Sequence, residues 1–216
     1  MTGPERMREL SSSALARIAW WLAGLCVVGT ISMQIVKHDW LPPTDSLSQY
    51  GVGKNGWVFS VAVGALGATS VTVGLLARAL GRPLITTIML GVGGAGFIID
   101  GLVPADAAAS HPTIYGHIHL VAAVFGVVLV PVAAVVLCWQ YRSKTFPMVT
   151  IVVSVGCIIT LILLLFAAAD LALFGQSQEY MWALYQTIAL IGTLIVLYLL
   201  RASLLVVDSR ASIPVR

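Results

Sequence analysis

The chain has 216 residues, of which 59% are hydrophobic and 10% are charged, and its mean hydropathy is +0.97. Soluble globular domains carry about 25% charged residues, so this composition excludes a water-soluble globular domain and predicts an integral membrane protein. The net charge of +3 is explained better by membrane topology than by a nucleic-acid partner, because the basic residues are distributed as topology requires.

Six apolar runs are each long enough to cross a bilayer as a helix, which takes about 20 residues. In chain order, these runs cover residues 14–36, 57–80, 84–103, 113–139, 147–174 and 181–207. One longer loop and four short loops join them, and no soluble domain or internal repeat is visible. The sequence therefore predicts an all-α, polytopic bundle of six transmembrane helices within residues 14–207.

The basic residues predict the orientation of this bundle, because Lys and Arg concentrate in cytoplasmic segments. Ten of the twelve fall on the side that holds both termini and the second and fourth loops, and only Lys37 and Lys54 fall on the other. We therefore expect both termini in the cytoplasm, with residues 1–13 and 208–216 as cytoplasmic tails.

The residues that can do acid–base or metal chemistry fall mainly on the opposite, outer side. That side holds all four histidines and six of the nine acidic residues: His38, His111, His117, His119, Asp39, Asp45, Asp100, Asp106, Asp170 and Glu179. The cytoplasmic side is basic and holds the remaining three acidic residues and no histidine. A working site, if there is one, is expected at the outer end of the bundle.

Two adjacent helices bring ionisable groups to a similar depth at this outer end. Asp100 lies four residues before Pro104, and His117 and His119 lie five and seven residues after Pro112. Asp170 reaches a similar depth on the fifth helix. An ionisable residue inside the membrane is costly unless it is paired or hydrated, so it indicates a functional site.

Helix geometry separates the two histidines, because residues at i and i+2 point about 200° apart. His119 shares its face with small residues such as Ala122 and Gly126, which pack against other helices, whereas His117 shares its face with bulky aliphatic residues. We therefore expect His119 to point inward. The cluster is then either a working site or an Asp100–His119 hydrogen bond that only holds the bundle together.

A divalent metal and a haem are both weighed for this cluster. Zinc could take His119, Asp106 and His111 as ligands, but the chain has no HExxH pair, so these ligands would have to converge from separate loops. A b-type haem needs axial histidines on two facing helices, and only His38 could partner the fourth helix. A divalent metal site stays open as a hypothesis, and haem is disfavoured.

Residues 91–96 match the pattern GxGxxG, but they are not interpreted as a nucleotide-binding loop. The match lies in the middle of a membrane span, with no preceding strand. Small residues in membrane helices instead let two backbones approach closely. We therefore expect helix packing at the following positions on the third and second helices: Gly91, Gly94, Gly96, Gly64, Gly67, Ala68 and Gly74.

The first outer loop, residues 37–56, is rich in Pro and Gly and is therefore expected to contain several turns. It also carries Trp40 and Tyr50, and Trp57 follows it directly. Either the loop folds back over the outer end of the bundle as a lid, or it lies at the membrane interface without a role.

Three stretches in fixed order resemble the bacterial and archaeal six-helix membrane family known as domain of unknown function 998. They are Asn55-Gly56-Trp57, Gly101-Leu102-Val103-Pro104-Ala105-Asp106 and Gly116-His117-Ile118-His119-Leu120-Val121-Ala122-Ala123. Asp106 matches an Asp of the family pattern and His119 its second His, whereas Tyr115 and Ala105 depart from it. The resemblance implies the six-helix fold and a prokaryotic plasma membrane, and it supplies no activity.

Three functions are compatible with this pattern. The leading hypothesis is a lipid-directed hydrolase or transferase, with His119 as base or ligand, Asp106 orienting it, and Asp100, Asp170 and Asp45 in support. The alternative is a non-catalytic scaffold or accessory subunit whose polar cluster is structural. A small-molecule transporter is third, because the inner halves of the helices are nearly free of ionisable residues. Membrane lipid is the only partner that the sequence indicates.

Overall fold

A computed structural model describes the chain over residues 3–37, 46–107, 111–140, 148–168 and 178–211. These residues form six α-helices and no strand, which confirms the predicted all-α bundle. The helices are α1 (Gly3–Lys37), α2 (Gly56–Ala79), α3 (Leu84–Leu102), α4 (Ile114–Gln140), α5 (Met148–Ala168) and α6 (Gln178–Ala211), and a short 3₁₀ helix (Leu47–Gly51) precedes α2.

The helices have the length and composition of membrane spans. Within the described residues, five segments are long and apolar enough to cross a bilayer, and α5 adds a shorter apolar segment, Met148–Leu163. The five are Ser11–Val36, Gly56–Ala79, Leu84–Leu102, Ile114–Gln140 and Trp182–Val206. The bundle is therefore of the membrane-embedded type. The helix α1 begins at Gly3, so helical structure extends across most of the predicted tail, residues 1–13.

Consecutive helices pack against each other, and α6 closes the bundle by contacting α1, α2 and α4 as well as α5. The short connection from α2 to α3 shows how the sequence sets this up. Gly81 has a positive φ of 72°, and the N–H groups of Gly81 and Arg82 donate to the carbonyl groups of Arg78 and Ala77. This is the glycine-terminated helix end that satisfies the last carbonyl groups, and Pro83 then leads directly into α3.

Small residues bring the backbones of α2, α3 and α4 into direct contact. A methyl group at Gly67 would collide with the carbonyl oxygen of Gly94, and a methyl group at Gly94 would lie 2.6 Å from the carbonyl oxygen of Gly67. A methyl group at Gly96 would lie 2.6 Å from the carbonyl oxygen of Ala122 on α4. The packing prediction is therefore confirmed for these three glycines. It is wrong for Gly91 and Gly64, because a methyl group at either would meet nothing within 4 Å.

Candidate functional site

His119 lies in the second turn of α4, on the face that packs against α3. Its exposed fraction is 7%, whereas His117 is exposed and its Nδ1 contacts only the carbonyl oxygen of Thr113, at 2.7 Å. The prediction that His119 is the inward histidine is confirmed, and the reason is the 200° separation of the two side chains.

The main chain at the C-terminal end of α3, including its C-cap residue Val103, holds the imidazole ring of His119. Its Nδ1 lies 2.8 Å from the carbonyl oxygen of Val103 and 3.0 Å from that of Asp100. Because both partners are acceptors only, Nδ1 must carry a proton and donate it. These contacts fix the tautomer and turn Nε2 toward the side chain of Asp100.

Asp100 completes a buried pair with His119. The distance from its Oδ1 to His119 Nε2 is 3.1 Å, and its exposed fraction is 6%. The contact is short enough for an ion pair, but it is not aligned as a hydrogen bond, and Oδ1 receives no other hydrogen bond from the described residues. Since buried polar groups are normally hydrogen-bonded, this oxygen is an acceptor that the described residues leave unused.

A cavity of about 350 Å³ opens beside this pair, a volume within the range of small-molecule sites. Its polar residues lie toward the end of the bundle where α3 ends and α4 begins. Its deeper wall is apolar and reaches Val127, about 12 Å along α4 from His119. The apolar lining is supplied mainly by Phe59, Val63, Phe97, Leu120, Val124, Val127, Leu161 and Leu190. The cavity is therefore amphipathic along its length.

Asp106 lines the mouth of the same cavity, but its carboxylate is bonded to Thr113. The N–H and hydroxyl groups of Thr113 donate to Asp106 at 2.9 and 2.6 Å, and the Thr113 hydroxyl oxygen accepts the N–H of Gly116 at 3.2 Å. Thr113 is therefore the N-cap residue of α4, and the Asp106 carboxylate holds it in place. The sequence assigned Asp106 the task of orienting His119, whereas in the structure Asp100 and two α3 carbonyl groups contact that ring. Any side chain at Gly116 would collide with the Asp106 carboxylate.

The hydrogen bonds from Thr113 hold the pKa of Asp106 below its ordinary value of 3.8. A lowered pKa means that the ionised form stabilises the fold above pH 3.8, and that this contribution is lost as the pH falls through the pKa of the folded state. We expect Asp106→Ala to lower the melting temperature at pH 7, and we expect its difference from wild type to shrink below pH 4. Thermal unfolding in detergent across this pH range measures the difference, and a constant gap would contradict the assignment.

The 3₁₀ helix covers the mouth of the cavity. Tyr50 and Leu47 are buried, with exposed fractions of 1% and 5%, and Gln49 Nε2 donates to the carbonyl oxygen of Asp106 at 2.8 Å. The N–H of Ser48 lies 3.3 Å from Gln186 Oε1 on α6. The described part of the loop of residues 37–56 therefore folds back over the cavity as a lid.

Gln49 and Gln186 line the cavity and were missed by sequence reasoning. For Gln186 a signal existed, because it is the only amide within the apolar run 181–207. A polar residue in a membrane helix usually faces the bundle interior or a wet cavity. Nothing distinguished Gln49 from its neighbours in a polar loop.

The metal hypothesis gains no ligand set from this geometry. Within the part of the chain that the structure describes, no group of three or more His, Cys, Asp or Glu residues is placed to hold a metal ion. His111, one of the three candidate ligands, is exposed. The other residues named in the sequence predictions, Asp45, Asp170 and His38, lie outside the described residues.

Comparison with known families matches residues 21–203 to a family described as "Protein of unknown function (DUF998)". No curated protein and no solved structure matches the chain. The family match spans α2 to α5 completely, most of α6 and half of α1, and it includes every residue of the cavity. The chain therefore belongs to the DUF998 family, as the resemblance of its three short motifs predicted.

Proposed function

We propose that the cavity binds a membrane lipid and that the Asp100–His119 pair does acid–base chemistry on it, which would make the protein a lipid-directed hydrolase or transferase. One observation carries this proposal: a buried, ionisable pair, whose carboxylate has an oxygen without an aligned hydrogen bond, lines a cavity with a polar mouth and an apolar inner wall. Such a pair at membrane depth is costly to maintain, which favours a functional role.

The shape of the cavity supports a lipid as the substrate. An acyl chain fits the apolar wall between Leu120 and Val127, and the polar linkage of the lipid then lies at the level of His119. Gln49 and Gln186 line the mouth of the cavity, where the head group would lie. In the orientation expected from the basic residues, this mouth faces the outer leaflet of the plasma membrane, and the lipid enters from there.

The proton movements follow from the fixed tautomer. Because Nδ1 donates its proton to two main-chain carbonyl groups, the pair can take up or release a proton only at His119 Nε2 or at the Asp100 carboxylate. Water, or an acceptor alcohol in a transferase, gives its proton to the His119–Asp100 pair while its oxygen bonds to the ester or amide carbonyl carbon. The same proton then passes to the leaving alcohol or amine as its bond to the carbonyl carbon breaks. The pair ends in its starting state.

The histidines of α4 provide a matched test of this proposal. We expect His119→Gln to abolish cleavage or transfer of ester and amide lipids in nanodiscs, because the glutamine side chain cannot take up the proton. His117→Gln, two residues away and exposed, should retain wild-type activity. Product formation is measured by mass spectrometry on a panel of glycerophospholipids and acylated amines. Full activity in a folded His119→Gln protein would disprove the assignment.

A second candidate is a non-catalytic scaffold in which the pair is structural. The observation in its favour is that the His119 ring links α4 to two carbonyl groups of α3, a bond pattern that would stabilise the bundle in the absence of any substrate. Both candidates predict a loss of stability when His119 is replaced. Only the catalytic candidate predicts product from the wild-type protein, so an inactive wild type across the lipid panel would favour the scaffold.

A further inference from the structure

A second apolar groove lies between α1 and α6. Its volume is about 550 Å³, and its lining includes Trp20, Trp21, Gly24 and Val28 of α1 and Ile195 and Tyr198 of α6. Trp21 and Val28 are exposed by 75% and 61%, and a methyl group at Gly24 would meet nothing within 4 Å. The groove is therefore open to whatever surrounds the bundle, and it is separate from the cavity beside His119.

One end of this groove is marked by a fixed cation. Arg201 lies one turn after Tyr198, its Nε donates to the carbonyl oxygen of Ala16 at 2.7 Å, and its guanidinium carbon lies 5.4 Å from the centre of the Trp20 ring. The rings of Trp20 and Tyr198 are 5.7 Å apart. The main chain of α1 and the ring of Trp20 therefore set the position of the guanidinium group, and its two terminal nitrogens remain able to donate.

A second cation, Arg17, lies on α1 next to the residue that Arg201 contacts. Arg17 follows Ala16 directly, is exposed, and precedes the groove residues Trp20 and Trp21 by about one turn of α1. Among the side chains that the structure describes, neither arginine has a carboxylate partner. The groove thus combines an apolar trough with a positively charged end.

We propose that this groove is a binding site for one anionic phospholipid. An acyl chain lies along the trough between α1 and α6, and the phosphate accepts hydrogen bonds from Arg201 with additional attraction from Arg17. The planar guanidinium group suits phosphate geometry, and such charge-assisted contacts are stronger than neutral ones. This end of the bundle is the one predicted to face the cytoplasm, where anionic lipids produce a negative surface potential.

A second copy of the chain fits the groove less well than a lipid does. Two copies joined by this face would bring Arg17 and Arg201 of one chain near the same residues of the other, and like charges placed together are unfavourable. An anionic lipid removes this repulsion and fills the trough at the same time. The trough also explains why the ligand is a lipid and not a free phosphate, which would leave the aromatic lining unused.

Retention of lipid by the purified full-length protein tests the site. The protein is placed in nanodiscs that contain equal amounts of phosphatidylglycerol and phosphatidylcholine, released into mild detergent, and analysed by native mass spectrometry. We expect wild type to keep one phosphatidylglycerol molecule in preference to phosphatidylcholine. Arg201→Gln should reduce this preference about ten-fold, because it removes a charge-assisted contact.

Three further variants keep the test decisive if Arg201→Gln folds poorly. Gly24→Leu leaves both arginines in place and fills the trough, where the structure has room for a side chain, so it should abolish retention of the lipid. Arg78→Gln removes an exposed cation at the same end of the bundle but away from the groove, and Gly91→Leu adds a side chain at another open glycine. Both of these controls should retain the lipid as wild type does.

Three results would overturn the proposal. The first is equal retention of both lipids by wild type, and the second is undiminished phosphatidylglycerol retention in a folded Gly24→Leu protein. The third is a protein dimer that Gly24→Leu dissociates without any change in lipid retention, which would identify a second copy as the occupant. None of these results depends on the chemistry proposed for His119.

Discussion

Replacement of His119 with leucine is expected to destabilise the protein by about 3–5 kcal/mol, the range observed when one member of a buried ion pair is removed. The substitution leaves the Asp100 carboxylate buried with no histidine at 3.1 Å. It also frees the carbonyl oxygens of Asp100 and Val103, which accept from Nδ1. Unfolding in a detergent mixture, followed by circular dichroism, measures the loss.

Two comparisons separate the pair interaction from a general packing defect. His117→Leu, on the exposed side of the same helix, should change stability by less than about 0.5 kcal/mol. The double variant Asp100→Leu with His119→Leu should be more stable than His119→Leu alone, because it removes the uncompensated carboxylate as well. Strictly additive losses in the double variant would show that the two side chains are not energetically coupled.

Gly67→Ala is expected to cost about 1–3 kcal/mol, the usual penalty for overpacking, although the change adds only one methyl group. That group would collide with the carbonyl oxygen of Gly94 and lie 2.9 Å from the backbone nitrogen of Ile98. Both are main-chain atoms, so the contact can be relieved only if α2 and α3 move apart.

The matched control for Gly67→Ala is Gly64→Ala, one turn earlier on α2. A methyl group at Gly64 meets nothing within 4 Å, and alanine favours the helical state over glycine by up to about 1 kcal/mol. We therefore expect Gly67→Ala to melt below wild type and well below Gly64→Ala, which should melt at or above the wild-type temperature. Equal stability of the two would contradict the close approach of α2 and α3.

The fold followed from the sequence because the bilayer imposes a simple length rule. The predicted spans 57–80 and 84–103 differ by one residue at most from the observed α2 and α3 at each end, since Gly81 and Pro83 terminate and restart helices by their own backbone preferences. The glycine positions were less predictable. Whether a glycine permits close packing depends on which helix face meets a neighbour, and Gly91 faces open space although Gly94 and Gly96 do not.

The candidate site followed from the sequence in part. Depth along α3 and α4, together with the angle between adjacent positions, was enough to bring Asp100 and His119 together. The task expected of Asp106 did not follow, because a connecting segment can satisfy a carboxylate locally, and here the nearby Thr113 does so. The contacts of Gln49 and Gln186 depend on how a loop folds across three helices, and no short-range pattern encodes that.

The structure explains two residues of the family motifs, Gly116 and Asp106. Gly116 leaves room for the Asp106 carboxylate, and that carboxylate caps α4 through Thr113. The conspicuous Asp and Gly of the two motifs therefore set the start of α4, and this start fixes the height of His119 opposite Asp100. We infer that Asp106 is a positioning residue, whereas Asp100, which lies outside the matched motif, contacts the reacting group in our proposal.

The contact between Gly67 and Gly94 also has a mechanical consequence. With Gly96 against Ala122 on the next helix, it joins α2, α3 and α4 through main-chain contacts that cannot slide without steric collision. These three helices should therefore move together as one rigid body. Any change in the volume of the cavity must then come from its other walls, which are α5, α6 and the 3₁₀ helix. A lipid that reaches His119 would pass between these three helices and the other walls of the cavity.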